Sequence, residues 1–157
     1  MNLSSVNSLN SSKVVNAFNV GQGKTRVGAI NFSNKVTTAF NLKTYDSKQY
    51  VLNAISAIKY TAGHSTDTFD ALSVLRTEHF SSINGDRSDV PNIAIRLTDG
   101  ESGDMERTRN EAKLTREAGV SIFAIGIGDS VKKEDLEEIA SSPKTDSMHI
   151  IENFTTL

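Results

Sequence analysis

The sequence predicts an α/β fold in which a mostly parallel, doubly wound sheet is covered by helices on both faces. Short apolar runs rich in β-branched residues alternate along the chain with amphipathic segments of helical period. Two of these runs are close enough to form a hairpin, and the remaining connections are long enough to cross over. The 157 residues suffice for one domain with a proper core but not for two. We therefore predict a single domain over residues 1–157.

The first part of the chain contains a helix and the hairpin. Apolar residues at roughly helical spacing between Leu3 and Phe18 predict an opening helix that ends near Gly21. Residues 26–32 and 36–42 then predict two strands, because the first is rich in apolar residues and the second has Val36, Phe40 and Leu42 on one face. The short polar turn between them makes this pair the antiparallel edge hairpin of the sheet.

Two helices are predicted between the hairpin and the middle of the chain. Residues 46–49 are a plausible cap for the first helix, and a polar loop over residues 61–68 leads into the second. The polar stretch at residues 81–89 then predicts a surface loop. The apolar residues on the buried sides are Val51, Ile55 and Ile58 in the first helix and Ala71, Leu72 and Leu75 in the second.

The second half of the chain alternates strand and helix. Residues 91–97 and 120–127 predict strands that are buried on both faces, because they are nearly continuous apolar runs. Between them, residues 105–118 predict a charged amphipathic helix, and the glycine after it is suited to end a helix. A short helix around Leu136 and a last strand over residues 148–151 complete the alternation.

Composition excludes several classes of function. The net charge of −2 and the sequence pI of about 5.9 do not suit a nucleic-acid partner, which favours a basic stripe. The chain contains no cysteine, which excludes disulfides, zinc–thiolate sites and thiol chemistry. No stretch is long enough for a membrane span, and the first residues lack the charged start and apolar run of a signal peptide. We expect no nucleic-acid partner, no membrane span and no signal peptide in this chain.

Asp99 is the strongest candidate for a functional residue. It follows the buried strand at residues 91–97, and open α/β sheets bind ligands beyond the carboxyl ends of their strands. A polar cluster at residues 63–68 opens the helix just upstream, so the two segments together suggest a site for a hard cation or a polar ligand. Asp99 can equally cap the following loop, and Thr66 can equally be the N-cap of its helix.

The order of these elements and four separate motifs resemble a von Willebrand factor type A domain. The similarity runs from about Leu9 to Leu157 and is closest to the A domains of matrilins and collagen-associated extracellular proteins. The motifs are Lys24-Thr-Arg-Val-Gly-Ala-Ile-Asn-Phe-Ser33, Thr66-Asp-Thr68, Ile95-Arg-Leu-Thr-Asp-Gly-Glu-Ser102 and Ala118-Gly-Val-Ser-Ile-Phe-Ala-Ile-Gly-Ile-Gly128.

The resemblance implies a Rossmann-like three-layer fold and a metal-ion-dependent adhesion site. In that family Mg²⁺ or Mn²⁺ is held by an Asp-x-Ser-x-Ser motif, a threonine and an aspartate, and a partner's carboxylate often completes the shell. The matching threonine and aspartate here are Thr66 and Asp99. The rim residues that the resemblance places against a partner are His64, Ser65, Glu101 and Ser102.

The chain departs from the family at both ends. No aspartate precedes Asp46, so the Asp-x-Ser-x-Ser motif is missing and the metal site is incomplete. By comparison with the family, the chain starts inside the first helix, with Ser4 in that helix, and lacks the first strand and the last helix. Without that central strand its two neighbours must pair directly or leave two unpaired backbone edges, and buried unpaired groups cost about 1–3 kcal/mol each. The sequence therefore predicts a partial domain of marginal stability.

The resemblance implies a non-enzymatic protein-binding module of the extracellular matrix or of cell adhesion. Its metal-dependent binding is expected to be impaired, and its partner is a matrix or cell-surface protein. One alternative is an assembly module of the same family that works inside cells. Another is a metal-assisted α/β hydrolase that uses Asp99 and Asp104, although no positioned nucleophile or base accompanies them. A third is that the chain is an interior piece of a longer protein and has no function of its own.

Overall fold

One six-stranded sheet forms the centre of the protein. The computed structural model describes residues 2–4, 8–59 and 66–152, and side chains within 11–59 and 66–152. In these ranges the strand order is β3-β2-β1-β4-β5-β6, with β2 and β3 antiparallel and the other pairs parallel. The strands are β1 (Asn2–Ser4), β2 (Gly28–Phe32), β3 (Val36–Phe40), β4 (Asn92–Thr98), β5 (Val120–Ile127) and β6 (Met148–Ile151).

Helices cover both faces of the sheet. On one face, Val15, Val51 and Ile55 pack in a core with the strands, and on the other Leu72 and Ala112 do the same. This arrangement confirms the predicted three-layer α/β fold. No helix in the described ranges is long and apolar enough to cross a membrane. The helices are α1 (Ser8–Asn16), α2 (Lys48–Ser56), α3 (Thr68–Val74, continued by a π-helical turn over Leu75–His79), α4 (Met105–Glu117), α5 (Lys133–Ile139) and α6 (Lys144–Ser147).

Local sequence signals explain where several elements begin and end. Helix α2 begins after Ser47, whose hydroxyl accepts a hydrogen bond from the backbone N–H of Tyr50 at 3.4 Å. Helix α4 begins after Asp104, whose carboxylate accepts from the N–H of Arg107 at 3.0 Å. It ends before Gly119, which has the left-handed φ of +85° that glycine tolerates best.

The prediction that the first strand is missing is wrong. Asn2–Ser4 forms a three-residue strand in the middle of the sheet, with Leu3 opposite Ala29 of β2 and Ile95 of β4. Ser4 therefore ends a strand instead of lying in the opening helix, which begins at Ser8. Backbone groups of β2 and β4 would otherwise face an unpaired gap, and three residues suffice to bridge part of it. The predicted absence of a last helix concerns residues 153–157, which lie outside the described residues.

Gly85 provides a test of how closely its loop packs against Lys43. Its φ of +99° is left-handed, and an added Cβ would lie 2.7 Å from the backbone nitrogen of Lys43. We expect Gly85→Ala to lower the free energy of unfolding by about 2 kcal/mol, from backbone strain and overpacking together. Gly23 is the matched control, because its φ is +71° but nothing lies within 4 Å of an added Cβ. In urea unfolding, Gly23→Ala should cost less than Gly85→Ala, and equal losses would contradict this packing.

Candidate functional site

Three loops meet at the edge of the sheet where β4 ends. The backbone N–H of Gly103 donates to the carbonyl of Thr66 at 3.0 Å, which joins the loop after β4 to the segment before α3. The N–H of Asp67 donates to the carbonyl of Ser33 at 2.9 Å, which joins the same segment to the β2–β3 turn. Thr66 and the loop that carries Asp99 are thus held next to each other, as the position of ligand sites in open α/β sheets predicts.

The predicted site residues differ in their exposure. Asp99 is exposed and Thr66 is half-buried. Glu101 is exposed and pairs with Lys132, whose Nζ lies 3.0 Å from both carboxylate oxygens. The hydrogen bond from Lys132 to Glu101, together with the charge of that carboxylate, raises the pKa of Lys132. The rim therefore presents carboxylates on a loop that an ion pair fastens to the segment before α5.

Ser102, another predicted rim residue, is buried. Ser102 is 8% exposed, so the expectation that it faces a partner is corrected. Its hydroxyl lies 2.8 Å from the hydroxyl of Thr68 and accepts from Arg96, so the side chain is held inward by polar contacts beneath the loop. His64 and Ser65 lie outside the described residues.

A buried arginine lies directly under these loops. Arg96 is in the middle of the sheet, opposite Ser4 of β1 and Ala124 of β5, and is 4% exposed. Because side chains alternate along a strand, it lies on the same face as Ala94, which belongs to the core beneath α3. Its Nη2 donates to three hydroxyl oxygens, those of Thr68 at 3.2 Å, Ser102 at 3.2 Å and Thr98 at 3.3 Å.

Two nitrogen atoms of the Arg96 guanidinium, Nε and Nη1, have no hydrogen-bond partner among the described residues. None of the ion pairs formed among the described residues includes Arg96. Burial lowers the pKa of Arg96 to about 10 and the charge of Asp135 opposes this shift, so the group remains positive at neutral pH. The site therefore contains a buried positive charge that lacks a close counter-charge among these residues.

The described residues do not fit a divalent cation. Mg²⁺ requires a near-octahedral set of oxygen ligands and is usually bound through carboxylates. No group of three or more acidic or histidine side chains that could hold a metal occurs within the described ranges. Hydroxyls of Thr68, Thr98 and Ser102 already accept from a guanidinium, whose charge repels a nearby cation. The unpartnered atoms of Arg96 are donors, which require an acceptor instead of a metal ion.

The geometry assigns Asp104 a structural contact. Its Oδ1 caps α4 by accepting from Arg107 N–H, and the side chain of Arg107 stacks over the ring of Phe69 at 3.6 Å. The described residues place no nucleophile–base pair beside Asp104 or Asp99, so the hydrolase alternative gains no support from the site.

Arg96 is the buried charged residue beneath these loops that the sequence analysis missed. The residue lies inside the Ile95–Ser102 motif, but the motif itself does not indicate a role for it. The available signal was a single charged side chain between Ile95 and Leu97 in a strand predicted to be buried on both faces. A charged residue in that position must either find polar partners or occupy a site.

Comparison with known proteins gives concordant results. The family model for the von Willebrand factor type A domain matches residues 9–157. The chain is 38% identical over 132 residues to the transmembrane cell adhesion receptor mua-3 of Caenorhabditis elegans, covering 82% of this chain and 3% of the receptor. It is 35% identical over 151 residues to matrilin-1 of Gallus gallus, covering 93% of this chain and 29% of matrilin-1. The chain thus spans less than a third of the length of either relative.

A solved structure agrees with the fold. Proximal thread matrix protein 1 from the mussel byssus, in a form described as having a zinc-occupied MIDAS motif, superimposes with a TM-score of 0.86. The identity is 27%, and the match covers 94% of this chain and 38% of that chain. This similarity supports the three-layer architecture.

Proposed function

The chain belongs to the von Willebrand factor type A domain family, and we propose that it is a protein-binding module of the extracellular matrix or of cell adhesion that works without a divalent cation. Its relatives include a matrilin and an adhesion receptor, which supports binding over catalysis and an extracellular setting. The module would bind a matrix or cell-surface protein through the loops at the carboxyl ends of the strands.

One observation carries the proposal of metal-independent binding, namely the position of Arg96. The loops that carry Thr66 and Asp99 rest on hydroxyls bonded to this buried guanidinium. The positive charge of Arg96 would repel a divalent cation bound above these loops. Because this charge is buried, water and salt screen the repulsion only weakly. This repulsion disfavours a divalent cation between Thr66 and Asp99, which supports a rim that a partner would contact directly.

The exposed acidic side chains supply the proposed contact surface. Asp99 is exposed, and Glu101 is exposed and oriented by Lys132. Exposed carboxylates suit a partner that presents arginine or lysine, since charge-assisted hydrogen bonds are roughly twice as strong as neutral ones. The side chains of Thr98 and Ser102 in the same segment are buried, which supports a rim that keeps its shape when it binds.

Binding to a panel of purified matrix proteins, collagens included, tests this proposal. Biosensor measurements would be made in EDTA and in millimolar Mg²⁺. We expect at least one interaction whose Kd is the same in both buffers. Asp99→Asn and Glu101→Gln should each weaken it by about tenfold or more, because each removes a charged hydrogen bond.

A matched control is available at the far end of α4. Glu117 is exposed and pairs only loosely with Lys113 at 3.8 Å, so Glu117→Gln removes the same charge without altering the rim. It should leave the Kd unchanged. Binding that is lost in EDTA and restored by Mg²⁺ would contradict the proposal, as would a loss with Glu117→Gln equal to that with Glu101→Gln.

A further inference from the structure

We propose that the buried guanidinium of Arg96 is a binding site for one small monoanionic group, a halide ion or a carboxylate. Two of its three nitrogen atoms, Nε and Nη1, have no hydrogen-bond partner among the described residues. The third donates to hydroxyl groups, which carry no charge. An anion would supply both the missing acceptor and the missing negative charge.

A small cavity is lined in part by Arg96. Its volume is about 20 Å³, and its lining also contains Thr68 and apolar side chains that include Ile30, Leu72 and Ile122. A volume of roughly 10–15 Å³ is enough for one water-sized species, so the cavity admits one small occupant. Water alone would leave the charge uncompensated in apolar surroundings, whereas a monoanion compensates it.

Among the described residues, no carboxylate forms an ion pair with Arg96. Glu101 pairs with Lys132, and Asp104 caps α4. Asp135 affects Arg96 through its charge alone, since no hydrogen bond or ion pair joins the two side chains. These residues therefore do not supply a counter-ion for Arg96, and the anion has to come from the solvent or from a partner.

The anion has two possible sources, a free halide from the solvent or the carboxylate of a partner's acidic side chain. The hydroxyls of Thr68, Thr98 and Ser102 lie between Arg96 and the loops that form the rim. A halide needs only a transient opening of this layer. A carboxylate on a partner's side chain needs a wider opening of this layer. The size of the anions that reach the guanidinium therefore distinguishes the two sources.

Thermal unfolding in different sodium salts tests the site. Ionic strength is held constant with gluconate, which is too large for the cavity, and gluconate is replaced stepwise by chloride or by acetate. We expect chloride to raise the Tm of the wild-type chain in a saturable way by about 3–6 °C. An equal rise with acetate identifies carboxylates, and hence a partner side chain, as possible ligands, whereas a rise with chloride alone identifies the solvent halide.

Arg96→Met is the matched variant, because its side chain suits the apolar cavity and has no charge. General salt effects should remain in this variant while the saturable rise disappears. Identical responses of wild type and Arg96→Met to all three salts would overturn the proposal. A second measurement needs no variant: anomalous diffraction from crystals grown in bromide should show a peak within hydrogen-bond distance of Arg96, and the absence of that peak would also overturn the proposal.

Discussion

Replacing Arg96 by methionine is expected to raise the free energy of unfolding by about 1–4 kcal/mol in chloride-free buffer. The substitution removes a buried charge that lacks a counter-charge among the described residues. It leaves few groups unsatisfied, because the hydroxyls of Thr68 and Ser102 bond each other at 2.8 Å and the hydroxyl of Thr98 donates to the carbonyl of Gly100 at 2.9 Å. Urea unfolding measures the difference. Chloride should reduce the gain, since the anion site stabilises the wild type.

Arg96→Lys is the control for this prediction. It keeps a positive charge in the same apolar surroundings but offers a different donor geometry, so it should not stabilise the protein. A contrary result would be an Arg96→Met variant whose free energy of unfolding is more than about 1 kcal/mol lower than that of the wild type in chloride-free buffer. The buried guanidinium would then be a net stabilising group and not an uncompensated charge.

Lowering the pH from about 6.5 to 4 is expected to destabilise the protein by about 3 kcal/mol through His79 alone. His79 is fully buried in the π-helical turn after α3, and its Nε2 lies 3.0 Å from the hydroxyl of Thr38. Burial lowers the pKa of His79 to about 4. Because the unfolded chain takes up the proton near pH 6.5, this stability is fully present above that pH and is lost as the pH falls through 4.

The measurement is the free energy of unfolding against pH for the wild type and for His79→Gln. Carboxylates also titrate in this range, so the quantity of interest is the difference between the two curves. We expect the difference to change by about 3 kcal/mol across the window. His149→Gln, which changes an exposed histidine, should follow the wild type. A pH-independent difference between wild type and His79→Gln would show that His79 titrates normally.

Elements with a strong periodic signal were predictable from sequence. The strands over Val120–Ile127 and Met148–Ile151 have the predicted bounds, because apolar runs bounded by glycine or polar residues leave few alternatives. The hairpin of β2 and β3 follows equally from two patterned runs joined by a short turn. In these segments the local strand propensity agrees with the burial that the fold requires, so tertiary contacts do not change the predicted secondary structure.

Strand β1 could not be predicted from local sequence. Asn2-Leu-Ser4 has no strand pattern, and the apolar spacing of the following residues favours a helix. Its conformation is set by pairing with β2 and β4, which needs partners about 25 and 90 residues away. Helix α6 was missed for a similar reason, since Lys144–Ser147 is polar and covers a single turn.

The candidate site was predictable in position but not in chemistry. Asp99 and Thr66 lie on adjoining loops, as the topology of the sheet predicts. The burial of Ser102 depends on Arg96, which reaches it from beneath the loop across six residues of sequence. Polar loop residues are expected to be exposed unless a buried donor bonds to them, and the sequence does not show that Arg96 reaches Ser102.

Arg96 lies beneath the loops at the ligand edge of this sheet, and we propose that no divalent cation binds above it. Urea unfolding of the chain, followed by circular dichroism with and without millimolar Mg²⁺, tests this claim most directly. We predict one cooperative transition whose midpoint is the same in Mg²⁺ and in EDTA. A midpoint raised by Mg²⁺ in the wild type and unchanged by it in Asp99→Ala would show a working metal site and would contradict the claim.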